Sequence, residues 1–313
     1  MNKKLISVVL RIMLSVIMLT AFTMNLIKVD AATIKVANPY NNQLAVNAKA
    51  DQIIQTAKNL IGKATYGGQI STTYPYQFKC ASFINFVFKQ NGVDLATSDE
   101  NNMLQQGYYV PRDQLQKGDL VFFDSTPTDN DPANHVGLYI GDNKIIHMAN
   151  SKLNVVISDL NSTNYYRDCY VGARRVLPSL LSANPATKGD KIVATAFDLR
   201  NKVSISSTTN NTASLTFTNG GLVNYIFMKN GVNLGTTNIK EQIKLGKEVS
   251  YNNLQKGDLV FFNYNLGSQT PGMVAIYAGD HRLILSSPAD GYYTRVDQLD
   301  WYKQHYITAR RVF

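Results

Sequence analysis

Leu115-Gln-Lys-Gly-Asp-Leu-Val-Phe-Phe123 recurs without a change at Leu254–Phe262, 139 residues further on. A nine-residue identity at that distance marks an internal duplication, and the same offset extends outward from it without a gap. It pairs Asp51 with Asp190, Ala57 with Ala196, and Phe88-Lys-Gln-Asn-Gly-Val with Phe227-Met-Lys-Asn-Gly-Val. After a one-residue deletion, His135-Val-Gly-Leu-Tyr-Ile-Gly-Asp pairs with Met273-Val-Ala-Ile-Tyr-Ala-Gly-Asp. A chain of 313 residues has room for about two domains, and the duplication makes two the expected number.

Each copy reads as helices followed by strands. Asp51–Ile61 sets Ile53, Ile54, Ala57, Leu60 and Ile61 on one helical face. A polar, turn-rich stretch, Gly62–Gln77, leads to a second helix over Cys80–Asn91, with Phe83, Ile84, Val87 and Phe88 inward and Gly92 as its stop. Leu120–Phe123, His135–Ile140, Lys144–Met148, Val155–Ser158 and Val171–Val176 read as strands, the middle two joined by the turn Gly141-Asp142-Asn143. Helices first and an antiparallel meander of about five strands after them make an α+β fold, present twice. The expected division is 1–31 signal peptide, 32–49 leader, 50–177 first domain, 178–189 linker and 190–313 second domain.

The apolar share is 44% and the charged share 17%, which excludes general disorder. The formal charge is +9; residues 1–31 carry Lys3, Lys4, Arg11 and Lys28 against Asp30, so the remainder keeps +6. That surplus suits anionic partners. The basic residues are scattered and no nucleic-acid motif is present, so a wall polymer or plain solubility is the better reading. Lys3-Lys4, the apolar run Leu5–Ile27 and the small residue of Val29-Asp30-Ala31 have the layout of an export signal. Arg11 interrupts the run and weakens a membrane-anchor reading. The rest of the chain is then expected outside the cytoplasm, with no stable membrane association once the signal is removed. Two cysteines in an exported chain raise a Cys80–Cys169 disulfide as one alternative, a free Cys80 and a partly buried Cys169 as the other.

The duplication also separates scaffold from chemistry. Its register sets Cys80 against Asn219, His135 against Met273 and His147 against Leu285. A thiol that attacks an amide needs ionisation, a base and a group to orient that base. Cys80 opens a helix, whose positive end lowers thiol pKa values, commonly to about 3.5–7.5 in reactive sites. His135 and His147 fall close to cross-strand register in one hairpin, where one imidazole can set the tautomer of the other. The bland alternative is a buried cysteine and two packing histidines, but all three are lost in the copy that keeps the scaffold. Asp119 and Asp258 occur in both copies and belong to the turn. No paired Cys/His spacing suggests a metal, and no cofactor motif is present.

These motifs resemble the NlpC/P60 cysteine peptidases: Phe78-Lys-Cys80-Ala-Ser-Phe-Ile-Asn-Phe-Val-Phe, Lys117-Gly-Asp-Leu-Val-Phe-Phe, His135-Val-Gly-Leu-Tyr-Ile-Gly, Ile145-Ile-His147 and the closing Ala173-Arg-Arg-Val. The resemblance implies a papain-like fold and a secreted or wall-associated enzyme that cleaves peptidoglycan peptide stems, typically at a γ-D-glutamyl bond to a diamino acid. It implies Cys80 as nucleophile, His135 as base and His147 as the third polar residue, with Tyr66 lining the site. Tyr66-Gly67-Gly68 faces Ile205-Ser206-Ser207 in the copy, so this loop decays with the triad. Many members have Asp-Cys-Ser-Gly where this chain has Lys79-Cys80-Ala81-Ser82. Lys79 and Ser82 are expected to face substrate, Lys79 favouring a carboxylate or an acylated stem over a free amine. Two rival readings stay open: a thiol amidase or acyltransferase on the same fold, and a non-catalytic wall-binding or secreted interaction protein.

Overall fold

The computed structural model describes residues 42–181 and 187–313; the expected signal peptide and most of the leader lie outside the described residues. Helix α1, Gln43–Lys58, begins inside the stretch read as leader, because its buried face starts at Val46 and continues through Ala50, Ile53, Ile54 and Ala57. Ile61, placed on that face by its spacing, instead follows the helix end and is exposed, while Leu60 is buried. A parallel pair, β1 (Ala64–Tyr66) with β2 (Tyr76–Phe78), carries the chain into α2, Cys80–Gln90. The inward face of α2 is Cys80, Ala81, Phe83, Ile84, Val87 and Phe88, and Gly92 takes φ +76° just beyond it. A single helical turn, α3 (Glu100–Met103), follows, capped by Asp99, whose carboxylate accepts from the Asn102 N–H.

Six strands form the sheet of the first half. They are β3 (Tyr108–Val110), β4 (Leu120–Phe123), β5 (His135–Gly141), β6 (Lys144–Met148), β7 (Val155–Asp159) and β8 (Tyr170–Arg175), in the order β3-β8-β4-β5-β6-β7, all neighbours antiparallel. A short helix, α4 (Asn164–Asp168), precedes β8, and α5 (Leu177–Leu180) follows it. Of these six the sequence reading missed β3, a three-residue edge strand too short to show alternation; it also missed β1 and β2, in and beside the stretch read as turn-rich. The second half repeats the plan. Helix α6 (Lys188–Leu199), the short pair β9 (Ser204–Ile205) and β10 (Thr216–Phe217), α7 (Asn219–Lys229) and the turn α8 (Ile239–Gln242) precede its sheet. That sheet runs β11-β16-β12-β13-β14-β15, made of Lys247–Val249, Tyr306–Arg311, Leu259–Phe262, Met273–Gly279, Arg282–Ser287 and Gly291–Val296, with α9 (Asp300–His305) before β16. In each half α1 and α2, or α6 and α7, cover one face of the sheet and close an apolar core against it.

The repeated Lys-Gly-Asp turn owes its persistence to an ion pair. Asp119 accepts the Gln116 N–H and a two-point clamp from Arg175, at 2.8 Å for each bond. Asp258 does the same with Gln255 and Arg311. The arginine is the second of the Ala-Arg-Arg motif in both copies, so the motif ties the last strand to the turn.

The two halves pack as one unit through polar contacts. Asp94, at 6% exposure, accepts from Arg200 at 2.6 Å and from Thr294 at 2.8 Å. Arg282, fully buried, donates to the carbonyls of Asp94, Gly279 and Ala278. Asp280 accepts from the Gly107 N–H and the Ser179 hydroxyl. Among the described residues no helix is long and apolar enough to cross a membrane.

Candidate active site

Cys80 sits where β2 hands over to α2, at 8% exposure, with its sulfur packed against the first strand of the hairpin. The backbone N–H groups of Cys80, Ala81 and Val136 point at the thiol and favour its ionised form. Burial opposes them and is the larger effect; the Glu100 carboxylate, 3.9 Å from Sγ, adds to it, and the thiol is pushed up to about 11. The helix end therefore does not set the sign expected for it. Loss of hydration and a facing negative charge outweigh a partial positive one. Cys80 rests as a thiol donating to Glu100.

His135 begins β5 and His147 lies near the end of β6. The hairpin pairs Leu138 with Ile146, so the two histidines share a face one step apart on the diagonal. His135 Nε2 lies 2.7 Å from His147 Nδ1, with the rings at 73°. His147 Nε2 continues the line to the Ser158 hydroxyl at 3.0 Å and the Tyr166 hydroxyl at 3.4 Å. Burial lowers His135 to about 4; burial, with the neighbouring His135 second, lowers His147 to about 3. Both rings are neutral across the physiological range, and two arrangements of protons satisfy these contacts. In one, His147 Nδ1–H donates to His135 Nε2 and the Ser158 hydroxyl donates to His147 Nε2; in the other, His147 holds its proton on Nε2 for Ser158, its Nδ1 accepts from His135 Nε2–H, and His135 Nδ1 is left as a base. A cleft of about 490 Å³ opens over this line, walled by Asn150, Leu153, Tyr165 and Tyr166.

Tyr66 ends β1 directly opposite Phe78, two residues before Cys80, and the residue is 37% exposed. Its backbone N–H donates to the Asn154 side chain at 2.9 Å, which joins this strand to the β6–β7 turn. Lys79 is exposed and extended at the mouth of α2. Ser82 departs from its expected role in binding substrate. It is buried, its hydroxyl accepting the Lys79 N–H at 2.8 Å and donating to the Lys79 carbonyl at 3.0 Å, so it caps the helix. Reading the sequence missed Glu100, Ser158 and Tyr166. The signal for Glu100 was present: the offset that exposes Cys80 sets Glu100 against Ile239. Ser158 needs the β6–β7 register, in which it pairs with Ile145 as Arg295 pairs with Leu283.

At the matching place in the second half, Asn219 starts α7 and binds both backbone groups of Val274, donating to its carbonyl at 2.9 Å and accepting its N–H at 2.8 Å. It also donates to the Ser286 hydroxyl at 3.0 Å. An amide thus staples helix to strand where the first half holds a thiol against the same backbone position. Met273 and Leu285, in place of the histidines, are buried apolar side chains. None of these three residues can attack a carbonyl or carry a proton. Cys80 and Cys169 are both free thiols. Among the described residues no cluster of three His, Cys, Asp or Glu side chains is arranged for a metal ion.

The model of the NlpC/P60 family matches residues 63–175 and 201–311. The Gamma-DL-glutamyl hydrolase of Bacillus subtilis is 29% identical over 85% of this chain and 61% of its own length. A Gamma-D-glutamyl-L-lysine dipeptidyl-peptidase of Bacillus cereus is 34% identical over 41% of this chain and 37% of its own. This chain thus spans about three-fifths of the first relative and under two-fifths of the second. Among solved structures, an NlpC/P60 family protein of Bacillus cereus is 31% identical over 41% of this chain and 40% of its own, with a TM-score of 0.34.

Proposed function

Because the chain belongs to the NlpC/P60 family, matched in both of its halves, we propose that it is an exported cysteine endopeptidase of peptidoglycan stem peptides. Residues 50–177 carry the activity and residues 190–313 are a catalytically dead copy, with residues 1–31 removed on export. The bond cut is a γ-glutamyl amide to a diamino acid. In support, the named relatives act on γ-glutamyl linkages, one of them to L-lysine.

The observation that carries the reading is the hydrogen-bonded line from His135 Nε2 through His147 to Ser158. In the arrangement with His135 protonated on Nε2, the line leaves His135 Nδ1 as a base on the strand that packs against Cys80. The thiol proton passes to that nitrogen as sulfur bonds to the substrate carbonyl carbon. The resulting imidazolium shares charge with His147, so a neutral pair becomes a singly charged one at the moment of attack. The Cys80 N–H at the start of α2 and a neighbouring amide hold the oxyanion. Collapse of the tetrahedral species returns the proton to the leaving amine. Water, deprotonated by His135, then attacks the thioester and frees Cys80. Tyr66 and Lys79 lie at the rim, where Lys79 meets the free α-carboxylate that a γ-linked glutamate keeps.

The mature chain and its Cys80→Ala variant, incubated with purified peptidoglycan and followed by mass spectrometry of the soluble products, test this reading. Stem fragments with new γ-glutamyl termini, from the wild type alone, are expected. No fragment from either protein, with Cys80 freely alkylated by iodoacetamide, would refute it and favour a wall-binding protein.

A further inference from the structure

Glu100 has no part in the steps above, yet its carboxylate lies 3.9 Å from Sγ and accepts from the thiol. It is half-buried at the start of α3. Its acidic neighbours are engaged elsewhere: Asp99 caps the Asn102 N–H, and Asp131 accepts from Asn101. Lys79 is the cation whose field reaches Glu100, and it makes no salt bridge with it among the described residues. The cap is kept in the second half, where Asn238 stands for Asp99, but Glu100 becomes Ile239. A residue needed only to build this turn would have no cause to vanish with the nucleophile and the base. A carboxylate beside a nucleophile also works against attack, since it disfavours the thiolate. Its presence in the half that keeps Cys80 calls for a compensating cation.

Resting on the peptidase reading above, we propose that Glu100 forms a cation subsite at the nucleophile, which binds a primary ammonium on the substrate and couples its arrival to activation of Cys80. With the site empty, Glu100 holds the thiol protonated. When a substrate ammonium pairs with Glu100, the negative charge facing sulfur is neutralised, and the proton leaves more readily for His135. Lys79 on one side and Glu100 on the other then match a ligand with a carboxylate on one side of the scissile amide and an ammonium on the other. A γ-linked glutamate followed by a diamino acid has that pattern; a polymer of γ-linked glutamate alone lacks the cation. The charged and titratable groups around the pair are Lys79 before α2, Asp99 and Asp131 beside Glu100, and His135 and Tyr165 on the sheet side of Cys80. Burial, then Asp99 and Asp131, raise the Glu100 carboxyl, consistent with a group lacking its cationic partner.

The test compares full-length wild type with Glu100→Gln on two probes: a peptide containing γ-D-glutamyl-L-lysine, and the same peptide acetylated on the lysine side-chain amine. The wild type is expected to prefer the free amine by about tenfold in kcat/KM, the order of one charge-assisted hydrogen bond. In Glu100→Gln that ratio falls to near one, and the pH midpoint for alkylation of Cys80 by iodoacetamide moves down. A purely structural glutamate would leave the ratio unchanged in a folded variant. Equal ratios in the two proteins, with both still hydrolysing, overturn the subsite. If the wild type cleaves neither peptide, the peptidase reading fails instead, and equilibrium binding of the same two peptides decides the subsite. Tighter binding of the free amine, lost in Glu100→Gln, supports it; equal binding overturns it.

Discussion

Acid should unfold the first half through its two histidines, and the size of the effect follows from their burial. His135 and His147 are 8% and 2% exposed and are held near about 4 and about 3, against 6.5 for a free imidazole. Their folded pKa values are depressed. Their contribution is therefore intact above pH 6.5, where both states are neutral. It is lost as pH falls towards the folded values, because only the unfolded chain takes up protons. Between pH 7.5 and pH 5 each imidazole should cost about 2 kcal/mol of stability, roughly 4 for the pair. The control is the double variant His135→Met, His147→Leu, whose new residues are those the second half carries at buried matching positions. Urea denaturation followed by far-ultraviolet circular dichroism at the two pH values gives the change for each protein. The wild type should lose about 4 kcal/mol more than the double variant. If the two lose the same amount within about 1 kcal/mol, the histidines are not held neutral by burial, and the proton arrangement proposed for catalysis fails with that result.

Two further outcomes are expected. His147→Leu alone should fold, yet lower kcat by about two to four orders of magnitude, since His135 then loses the group that fixes its tautomer; activity within threefold of wild type on peptidoglycan would remove His147 from the site. Burial pushes the Asp94 carboxyl up, but Arg200 and Lys89 more than offset this and leave it below the usual range. Asp94→Asn should therefore cost about 3–5 kcal/mol, because it removes one partner of a buried pair and leaves the fully buried Arg282 with less opposing charge. A urea midpoint equal to wild type would show that the junction between the halves contributes little.

The parts of this molecule that are readable in its sequence are those that depend on local pattern or on the internal copy. The apolar spacing of Cys80–Gln90, the Gly141-Asp142-Asn143 hairpin and the doubled α+β order are of this kind, and so is the pairing of Cys80, His135 and His147 with inert residues. What escaped depends on packing across the chain. Strand β3 exists because Tyr108–Val110 finds the edge of β8, not because three residues show a period. Ser82 has a hydroxyl suited equally to a ligand or a helix end, and only the position of the Lys79 backbone decides between them. The sign at Cys80 turns on a carboxylate twenty residues away and on burial by a strand still more distant.

The second half makes the strongest case that these side chains serve chemistry and not folding. The same sheet order, Lys-Gly-Asp turn and arginine clamp recur there with Asn219, Ile239, Met273 and Leu285 in place of Cys80, Glu100, His135 and His147. The replacements are not neutral gaps. Asn219 gains bonds to both backbone groups of Val274, and Met273 and Leu285 bury apolar surface where the first half buries two imidazoles whose charging opposes folding. Each exchange moves the position towards what the scaffold alone would favour. The first half therefore carries at least three stability costs that the second half has shed: a thiol facing a carboxylate, and two buried neutral bases. The proposed chemistry accounts for such costs, and they lie along one hydrogen-bonded line and at the two helix starts where Cys80 faces Glu100.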